Sequence, residues 1–289
     1  MINDEWLALA VGVGLMATDL DGTLLRPDGS VSDFTVATFA RARAAGVPVV
    51  FVTGRPPRWL PAVAAATGHT GVAIGANGAV VVDLASGDIL RAHEISSAAL
   101  DAVVTTLRAE VPGIGFAAEW IDDVPDETSR DTDFAHEHAF VPRYVVGTPQ
   151  KAADIRDIVD GHRVVKLLAR VTGSGHDADS FLAHALEHVE HLVTVTHSNA
   201  DDVLLEMSAS GVSKGSALAE HAASLGLSSA DVAAAGDMPN DIPMLTWARV
   251  GLGVDGGHAQ VLDAADAVLP GPSDDGVARF VAAVLDSHA

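Results

Sequence analysis

Cysteine is missing from the chain altogether, and aromatic residues make up only 4% of it. Without cysteine there can be no disulfide, no thiolate metal site and no cysteine nucleophile. Hydrophobic residues still account for 48% of the 289 residues, so a sizeable core has to be built from alanine, valine and leucine. This composition excludes a mainly disordered chain, and the length predicts roughly two domains.

Basic residues are also scarce, because 17 lysines and arginines face 39 acidic residues, for a net charge of −22. Such a surface repels nucleic acid and anionic membranes, so we predict neither as a partner. It repels a phosphorylated substrate at long range as well, and any phosphate site therefore needs cations close to the phosphate. The sequence leaves the oligomeric state open.

No apolar run is long enough to span a membrane. Residues 6–17 are apolar, but Asp4 and Glu5 precede them where a signal peptide carries lysine or arginine. We interpret residues 6–17 as a short leader that runs into the first buried strand. Together with the absence of cysteine, this predicts a cytoplasmic protein.

Both ends of the chain alternate short apolar segments with helical segments, which predicts βαβ units around a parallel sheet. The predicted strands are residues 15–18, 47–52, 71–74, 79–84, 232–235, 250–254 and 267–269. The predicted helices are residues 32–45, 59–67, 214–225, 242–247, 259–265 and 276–285. The fold class that follows is α/β, with a doubly wound, Rossmann-like core formed by residues 1–84 and 207–289.

The middle of the chain, residues 85–206, has a different pattern. Two amphipathic helices are predicted there, at residues 98–110 and 179–190. The predicted strands are residues 115–119, 144–146, 164–171, 192–196 and 203–207. Two helices with several strands predict an α+β unit with a largely antiparallel sheet. We therefore expect this segment to be a cap domain inserted into the core.

The first candidate motif is Asp19-Leu20-Asp21-Gly22-Thr23, directly after a predicted strand. Its two carboxylates converge at the carboxyl end of the strand, where open α/β sheets bind ligands. Gly22 allows a sharp turn whose backbone N–H groups can face an anion. An Asx-type surface turn is the alternative. An EF-hand is excluded, because Ser30 stands at the twelfth position, which requires glutamate.

Two further motifs offer groups for a phosphate. Thr53-Gly54-Arg55 follows the second buried strand, and a hydroxyl with the N–H after it suits a phosphate oxygen; the alternative is a polar strand exit. Lys214 begins a predicted helix and opposes the helix dipole there, at a cost of ~0.3–1 kcal/mol. An anion near Lys214 would offset this cost, and a solvent-facing lysine is the alternative.

A second acidic motif, Gly236-Asp237-Met238-Pro239-Asn240-Asp241, follows the strand at residues 232–235. A helix N-cap is one interpretation. The other is a metal site, because four acids near one point repel each other unless a divalent cation neutralises them. These acids are Asp19, Asp21, Asp237 and Asp241. All-oxygen ligands favour Mg²⁺ over Zn²⁺.

These four motifs, in this order, resemble the haloacid dehalogenase superfamily of aspartate-nucleophile phosphohydrolases. The long insert between Thr53 and Lys214 is similar to that of the Cof-type branch. Three more segments carry the resemblance over nearly the whole chain: Asn77-Gly78-Ala79, Leu205-Glu206-Met207 with Gly211-Val212-Ser213-Lys214-Gly215, and Ser273-Asp274-Asp275-Gly276-Val277-Ala278. One departure is Val254-Asp255-Gly256, where relatives carry Gly-Asn-Ala; the role of Asp255 stays open.

The resemblance implies a Mg²⁺-dependent phosphatase that acts on a small phosphorylated metabolite, such as a sugar phosphate. It implies that Asp19 is the nucleophile and that Asp21 is the general acid and base. The phosphate contacts it implies are Leu20, Thr53, Gly54, Lys214 and Asn240. Mg²⁺ would be held by the Asp19 carboxylate, the Asp21 backbone carbonyl and Asp237, with Asn240 and Asp241 in support.

Two alternatives stay open from sequence, namely a phosphomutase of the same superfamily and a non-catalytic phosphate-binding protein. The cap is expected to select the substrate, but no pattern identifies the residues that do so. Arg130, Arg143 and His162 are polar candidates, each with an ordinary surface role as the alternative.

Overall fold

Two units divide the chain, and the second is inserted into the first. The computed structural model describes residues 4–121, 134–143, 149–173 and 175–288. The first unit consists of Met1–Arg91 and Ser213–Ala289, and the second is Ala92–Val212. The sequence prediction placed these boundaries at residues 84/85 and 206/207, a few residues earlier than this division. The reason is that Ile89–Ala92 joins the sheet of the first unit, whereas Leu204–Ala209 belongs to the sheet of the second.

The first unit contains an eight-stranded sheet. Its strands are β1 (Leu15–Thr18), β2 (Val49–Val52), β3 (Val72–Gly75), β4 (Val80–Asp83), β5 (Ile89–Ala92), β12 (Val232–Gly236), β13 (Val250–Val254) and β14 (Ala267–Leu269). They lie in the order β14-β13-β12-β1-β2-β3-β4-β5. From β14 to β3 the pairs are parallel, and β4 returns antiparallel to β3. The predicted parallel core is confirmed.

Helices cover both faces of this sheet. They are α1 (Asp4–Ala10), α2 (Asp33–Ala44), α3 (Leu60–Thr67), α7 (Lys214–Ser224), α8 (Ile242–Trp247), α9 (Ala259–Ala264) and α10 (Gly276–Ser287). Side chains alternate between the two faces of a strand. Val50 of β2 packs in one core cluster with Leu218 of α7 and Met244 of α8. Its neighbour Phe51 faces the other way, where its ring lies 6.2 Å from that of Phe39 in α2.

Part of the segment interpreted as a short leader before β1 is helical. Residues 4–10 form α1, which packs against α10 and buries Trp6. The apolar residues that suggested a leader are therefore partly used to cover the end of the core. Across the described residues, every helix is too short or too polar to cross a membrane.

The second unit is an α+β unit, and its described residues form a six-stranded sheet in the order β10-β11-β9-β6-β7-β8. Its strands are β6 (Gly115–Ile121), β7 (Phe134–Glu137), β8 (Gln150–Ala152), β9 (Arg163–Arg170), β10 (Val193–Thr196) and β11 (Leu204–Ala209). Every pair except β7 with β8 is antiparallel, which confirms the predicted fold class.

The described residues of this unit also form three helices, namely α4 (Ser97–Glu110), α5 (Arg156–Val159) and α6 (Ala178–Val189). Leucine and valine side chains of α4 share one buried core with Phe181 of α6 and Phe116 of β6. The sequence did not predict β7, β8 or α5, which are all short. The strand predicted at residues 144–146 lies outside the described residues, as does Arg130.

Candidate active site

Three neighbouring parallel strands bring functional groups to one edge of the first unit. Asp237, Asp19 and Thr53 directly follow β12, β1 and β2, which are adjacent in the sheet. Since the strands are parallel, their carboxyl ends meet at the same edge. The backbone N–H of Asp19 continues the ladder by donating to Ala235 O at 2.9 Å, so the nucleophile candidate is fixed to the end of the sheet.

Lys214 lies at the centre of this edge and is only 2% exposed. Its Nζ donates to Oδ1 of Asp19 at 2.6 Å and to Oδ1 of Asp241 at 2.5 Å. These two carboxylates are the anions that a lysine at a helix N-terminus requires. The start of α7 is fixed by Ser213, whose side chain accepts a hydrogen bond from the Ser216 N–H in a capping box. The helix cap thus positions the lysine between the two acids.

The loop after β12 is held by Asp241, a fully buried residue. Its Oδ2 accepts hydrogen bonds from the backbone N–H groups of Asp237 and Met238, both at 3.0 Å. Thr23 donates its hydroxyl to Oδ1 of Asp237 at 2.7 Å. Asp241 therefore braces the loop, while Asp237 presents its carboxylate beside the Asp19 turn.

Carboxylate oxygens of Asp19, Asp237 and Asp241 lie within 4.8 Å of one another. Burial raises the pKa of Asp19 well above its usual range, although the Lys214 ammonium opposes this shift. Burial, and next the Asp241 carboxylate, raise the pKa of Asp237 to about 6. Burial disfavours the Lys214 ammonium, but the carboxylates of Asp19 and Asp241 outweigh it, so the pKa of Lys214 is raised. The site holds more negative charge than its protein groups neutralise.

This group of residues fits a hard divalent cation. When all three carboxylates are ionised, they and the one ammonium leave two negative charges, which the charge of Mg²⁺ would balance. Asp241 has both oxygens engaged by protein donors. Within the described residues, Oδ2 of Asp19 and Oδ2 of Asp237 have no such donor. An all-oxygen donor set of this kind favours Mg²⁺ over softer metals.

Asp21 does not join the three clustered carboxylates, contrary to the expectation that four acids converge. Its side chain is 61% exposed and is held by Arg55, whose Nε and second guanidinium nitrogen reach its two oxygens at 2.7 and 2.5 Å. Hydrogen bonding to Asp21 raises the pKa of Arg55. Arg55 is part of the Thr53-Gly54-Arg55 motif, but the sequence did not indicate its role. The folded structure determines which group such a long side chain contacts.

Thr53 and Asn240 are joined through Asn77, which was noted from sequence only within the segment Asn77-Gly78-Ala79 and was given no role in the site. Asn77 has a left-handed backbone (φ 57°) and a buried side chain. Its N–H donates to Thr53 O at 3.0 Å, and its Oδ1 accepts from Nδ2 of Asn240 at 3.0 Å. Buried Oδ1 of Asn240 has no protein donor in the described part of the chain. The Thr53 hydroxyl accepts from the Arg55 N–H at 3.1 Å.

Three further residues considered from sequence are Leu20, Gly54 and Asp255. The Leu20 side chain is buried, and its carbonyl accepts from the N–H groups of Leu24 and Leu25. Gly54 is half-buried. Asp255 is exposed at the end of β13, where its N–H donates to Leu269 O at 2.8 Å. Within the described part of the chain, no hydrogen bond or ion pair joins Asp255 to the three clustered carboxylates.

Two of the polar candidates in the second unit have structural partners. A guanidinium nitrogen of Arg143 lies 4.0 Å from an oxygen of Asp202. The ring of His162 packs on Trp120, with 4.7 Å between the ring centroids. Both contacts fit the ordinary structural role that was the alternative from sequence.

Known proteins resemble this chain over most of its length. The sequence profile of haloacid dehalogenase-like hydrolases matches residues 16–281. Pyridoxal phosphate phosphatase YbhA of Escherichia coli (strain K12) is 26% identical over 270 residues, which are 92% of this chain and 97% of that protein.

Solved structures share the fold of both units. A phosphatase of the haloalkanoate superfamily from Bacteroides thetaiotaomicron matches with a TM-score of 0.74 at 19% identity, over 94% of this chain and 95% of that one. A sugar phosphatase of subclass IIB matches with a TM-score of 0.73 at 16% identity, over 92% and 97%. The family profile thus spans the strand-end motifs and the insert alike, and the chain belongs to the haloacid dehalogenase-like hydrolases, with the fold of their subclass IIB (Cof-type) members.

Proposed function

We propose that this protein is a Mg²⁺-dependent phosphatase that hydrolyses a small phosphorylated metabolite through an aspartyl-phosphate on Asp19. One observation carries the proposal: the buried Asp19 carboxylate is hydrogen-bonded to Lys214 at the strand edge, beside Asp237. A binding protein has no need to bury a carboxylate where a phosphate anion is to sit. A nucleophile does need one there, with cations to lower the repulsion.

In the first half-reaction, an Asp19 oxygen attacks phosphorus in line. The new bond joins Asp19 to phosphorus, and the bond from phosphorus to the leaving oxygen breaks. Asp21 donates its proton to that leaving oxygen. Because Asp21 is largely exposed, it can reach a substrate that approaches from solvent, and it must exchange its Arg55 partner to do so.

In the second half-reaction, water attacks the phosphorus of the aspartyl-phosphate. Asp21, now a carboxylate, takes a proton from the attacking water. The bond between Asp19 and phosphorus breaks, which releases inorganic phosphate and restores the Asp19 carboxylate. One residue thus acts as the acid in one step and as the base in the next.

The transferring oxygens need positive partners throughout. An ammonium has three N–H donors, and Lys214 uses two of them on Asp19 and Asp241. The third is left for a phosphoryl oxygen. We assign the same task to the Thr53 hydroxyl and to the backbone N–H groups of Leu20 and Gly54, with Asn240 at the border of the phosphate site.

The groups that would hold Mg²⁺ are the carboxylates of Asp19 and Asp237 and the backbone carbonyl of Asp21. When bound, the ion neutralises charge on the phosphoryl oxygens and on the acids around them. Asp241 supports this site by fixing the loop that carries Asp237.

Relatives indicate two substrate classes to test, because one is named for pyridoxal phosphate and another for sugar phosphates. The purified protein should release inorganic phosphate from members of such a panel when Mg²⁺ is present. Chelator should stop the release and Mg²⁺ should restore it. Formation of an isomeric sugar phosphate without free phosphate would instead identify a phosphomutase. Phosphate binding without turnover of any substrate would identify a binding protein.

The raised pKa of Asp237 gives a prediction on stability. In the metal-free folded protein this pKa is about 6, whereas an unfolded aspartate titrates near ~3.9. Between these values the folded state binds more protons, so stability falls as pH rises through this window. Asp237→Asn removes this partly buried negative charge. The variant should therefore be more stable than the wild type, without metal, by roughly 1–3 kcal/mol at about pH 7.5, with little gain at about pH 4.5.

Thermal melts of the wild type and Asp237→Asn, with and without Mg²⁺, test the predicted difference in stability. Mg²⁺ should raise the melting temperature of the wild type at neutral pH and have a much smaller effect on Asp237→Asn. A metal-free Asp237→Asn variant that melts below the wild type at neutral pH would contradict the prediction that the ionised Asp237 destabilises the metal-free protein.

Gly22 and Gly29 form a matched pair for the metal site. Both have positive φ, 83° and 80°, so alanine strains the backbone at either position. A Cβ on Gly22 would lie 2.2 Å from Oδ2 of Asp237, whereas one on Gly29 meets nothing within 4 Å. Gly29→Ala should cost ~1 kcal/mol of stability and keep activity. Gly22→Ala should also raise the Mg²⁺ concentration for half-maximal activity at least ~tenfold. Equal metal titrations in the two variants would count against Asp237 as a ligand.

We also propose that the second unit, Ala92–Val212, selects the substrate. With that segment replaced by a short glycine-serine linker, the protein should still hydrolyse a small activated phosphate, since all the residues assigned to the chemistry belong to the first unit. Its rates on natural phosphorylated metabolites should become weak and nearly uniform. An unchanged ranking of those metabolites would assign the insert a purely structural role.

A further inference from the structure

Histidines are concentrated in one short stretch of the second unit. The chain has 13 histidines, and those between residues 176 and 197 are His176, His184, His188, His191 and His197. Neither the phosphate site nor the proposed mechanism uses them. His184 and His188 lie one turn apart on α6, so their rings project from the same side of the helix.

Glu110, the last residue of α4, completes a group with these two histidines. A ring nitrogen of each histidine and a carboxylate oxygen of Glu110 all lie within 4.8 Å of one another. The ring centroids of His184 and His188 are 5.0 Å apart, and Nε2 of His188 is 3.9 Å from Oε2 of Glu110. The two helices that supply the group pack against each other, so their common core fixes its geometry.

A simple surface ion pair does not account for this arrangement. The distance of 3.9 Å between His188 and Glu110 is too long for a hydrogen bond. His184 has no carboxylate partner of its own among the ion pairs of the described residues, yet it faces the same point. His176 stacks on His184 at 5.6 Å between ring centroids, which limits the orientations of the His184 ring.

The donor set indicates the class of ion. Two imidazoles four residues apart on a helix, with a carboxylate from a neighbouring element, suit Zn²⁺ and similar transition metals. They do not suit Mg²⁺, which prefers oxygen ligands and keeps several waters. The histidines are half-buried and Glu110 is exposed, so an ion can reach the group from solvent.

We propose that Glu110, His184 and His188 form a Zn²⁺-binding site on the second unit, independent of the Asp19 centre. Three protein ligands leave one position of a tetrahedral ion for water. The ion would tie the end of α4 to α6 and so stabilise the unit that contains them. The proposal does not depend on the proposed phosphatase activity, and its test does not measure turnover.

The test is titration of the untagged full-length protein with Zn²⁺, and with Co²⁺ as a spectroscopic probe, in excess Mg²⁺ to occupy the acidic site. The wild type should bind one ion at this site, with the visible absorption of tetrahedral Co²⁺, and should melt at a higher temperature with Zn²⁺. His184→Gln, His188→Gln and Glu110→Gln should each weaken binding at least ~tenfold. His191→Gln, an exposed histidine beyond the end of α6, is the matched control and should leave affinity unchanged within about twofold.

Two outcomes would overturn the proposal. One is Zn²⁺ affinity that is the same in His188→Gln as in the wild type, including the case in which neither binds. The other is binding that is lost in Asp237→Asn but kept in His184→Gln, because the ion would then occupy the acidic site. Loss of binding in both histidine variants, with retention in His191→Gln and Asp237→Asn, supports the assignment.

Discussion

Asp19→Asn is expected to lower turnover at least ~10³-fold without lowering the melting temperature. The amide cannot attack phosphorus, so no covalent intermediate forms. Stability should be kept because burial and the neighbouring acids make an ionised Asp19 unfavourable in the metal-free protein, as its raised pKa shows. Lys214 also retains Asp241 as a partner.

The matched control for Asp19→Asn is Asp255→Asn. It makes the same chemical change at the end of another strand of the same sheet, where the aspartate is exposed. It should keep activity within about twofold, as surface substitutions away from special features have small effects. Turnover by Asp19→Asn within tenfold of the wild type would remove Asp19 as the nucleophile.

Lys214→Met is expected to affect both activity and stability. The substitution keeps much of the buried volume but leaves the carboxylates of Asp19 and Asp241 without their shared cation. Breaking a buried ion pair by removing one partner costs about 3–5 kcal/mol. Turnover should fall at least ~10³-fold as well, because the phosphoryl group loses the cation that reduces its repulsion from Asp19.

A second substitution separates these two effects. Adding Asp241→Asn to Lys214→Met removes one of the stranded charges, so part of the lost stability should return while activity should not. Denaturant unfolding of the wild type, the two single variants and the double variant gives the coupling energy between Lys214 and Asp241. Additive effects of the two substitutions would show that the pair is not the source of the stability loss.

Much of the core could be predicted because its elements are apolar runs with clear ends. The strand Val250–Val254 and the helix Ile242–Trp247 have the predicted limits. By contrast, β5 (Ile89–Ala92) lies at the edge of its sheet with exposed leucine and isoleucine, so no burial pattern marks it. The short strands β7 and β8 depend on pairing partners that are distant in sequence, which local patterns do not record.

The candidate site shows the same division. The positions of Asp19, Thr53 and Asp237 follow from one rule, that polar residues after parallel strands share an edge. The pairing of Asp21 with Arg55 does not follow from it, because side-chain partners depend on the turn geometry. The group formed by Glu110 and His184 joins two helices far apart in sequence, and only the packing of those helices brings them together.

Chemical trapping of the aspartyl-phosphate tests directly whether Asp19 is the nucleophile. Asp21→Asn lacks the base for the second step, so with an activated aryl phosphate, whose leaving group needs no proton, the intermediate should accumulate. Quenching with borohydride reduces an aspartyl-phosphate to homoserine, which mass spectrometry of the peptide can locate. We expect homoserine at position 19, and its formation should depend on both substrate and Mg²⁺. Release of aryl alcohol with modification at another residue, or with none at position 19, would contradict the role of Asp19 as the nucleophile.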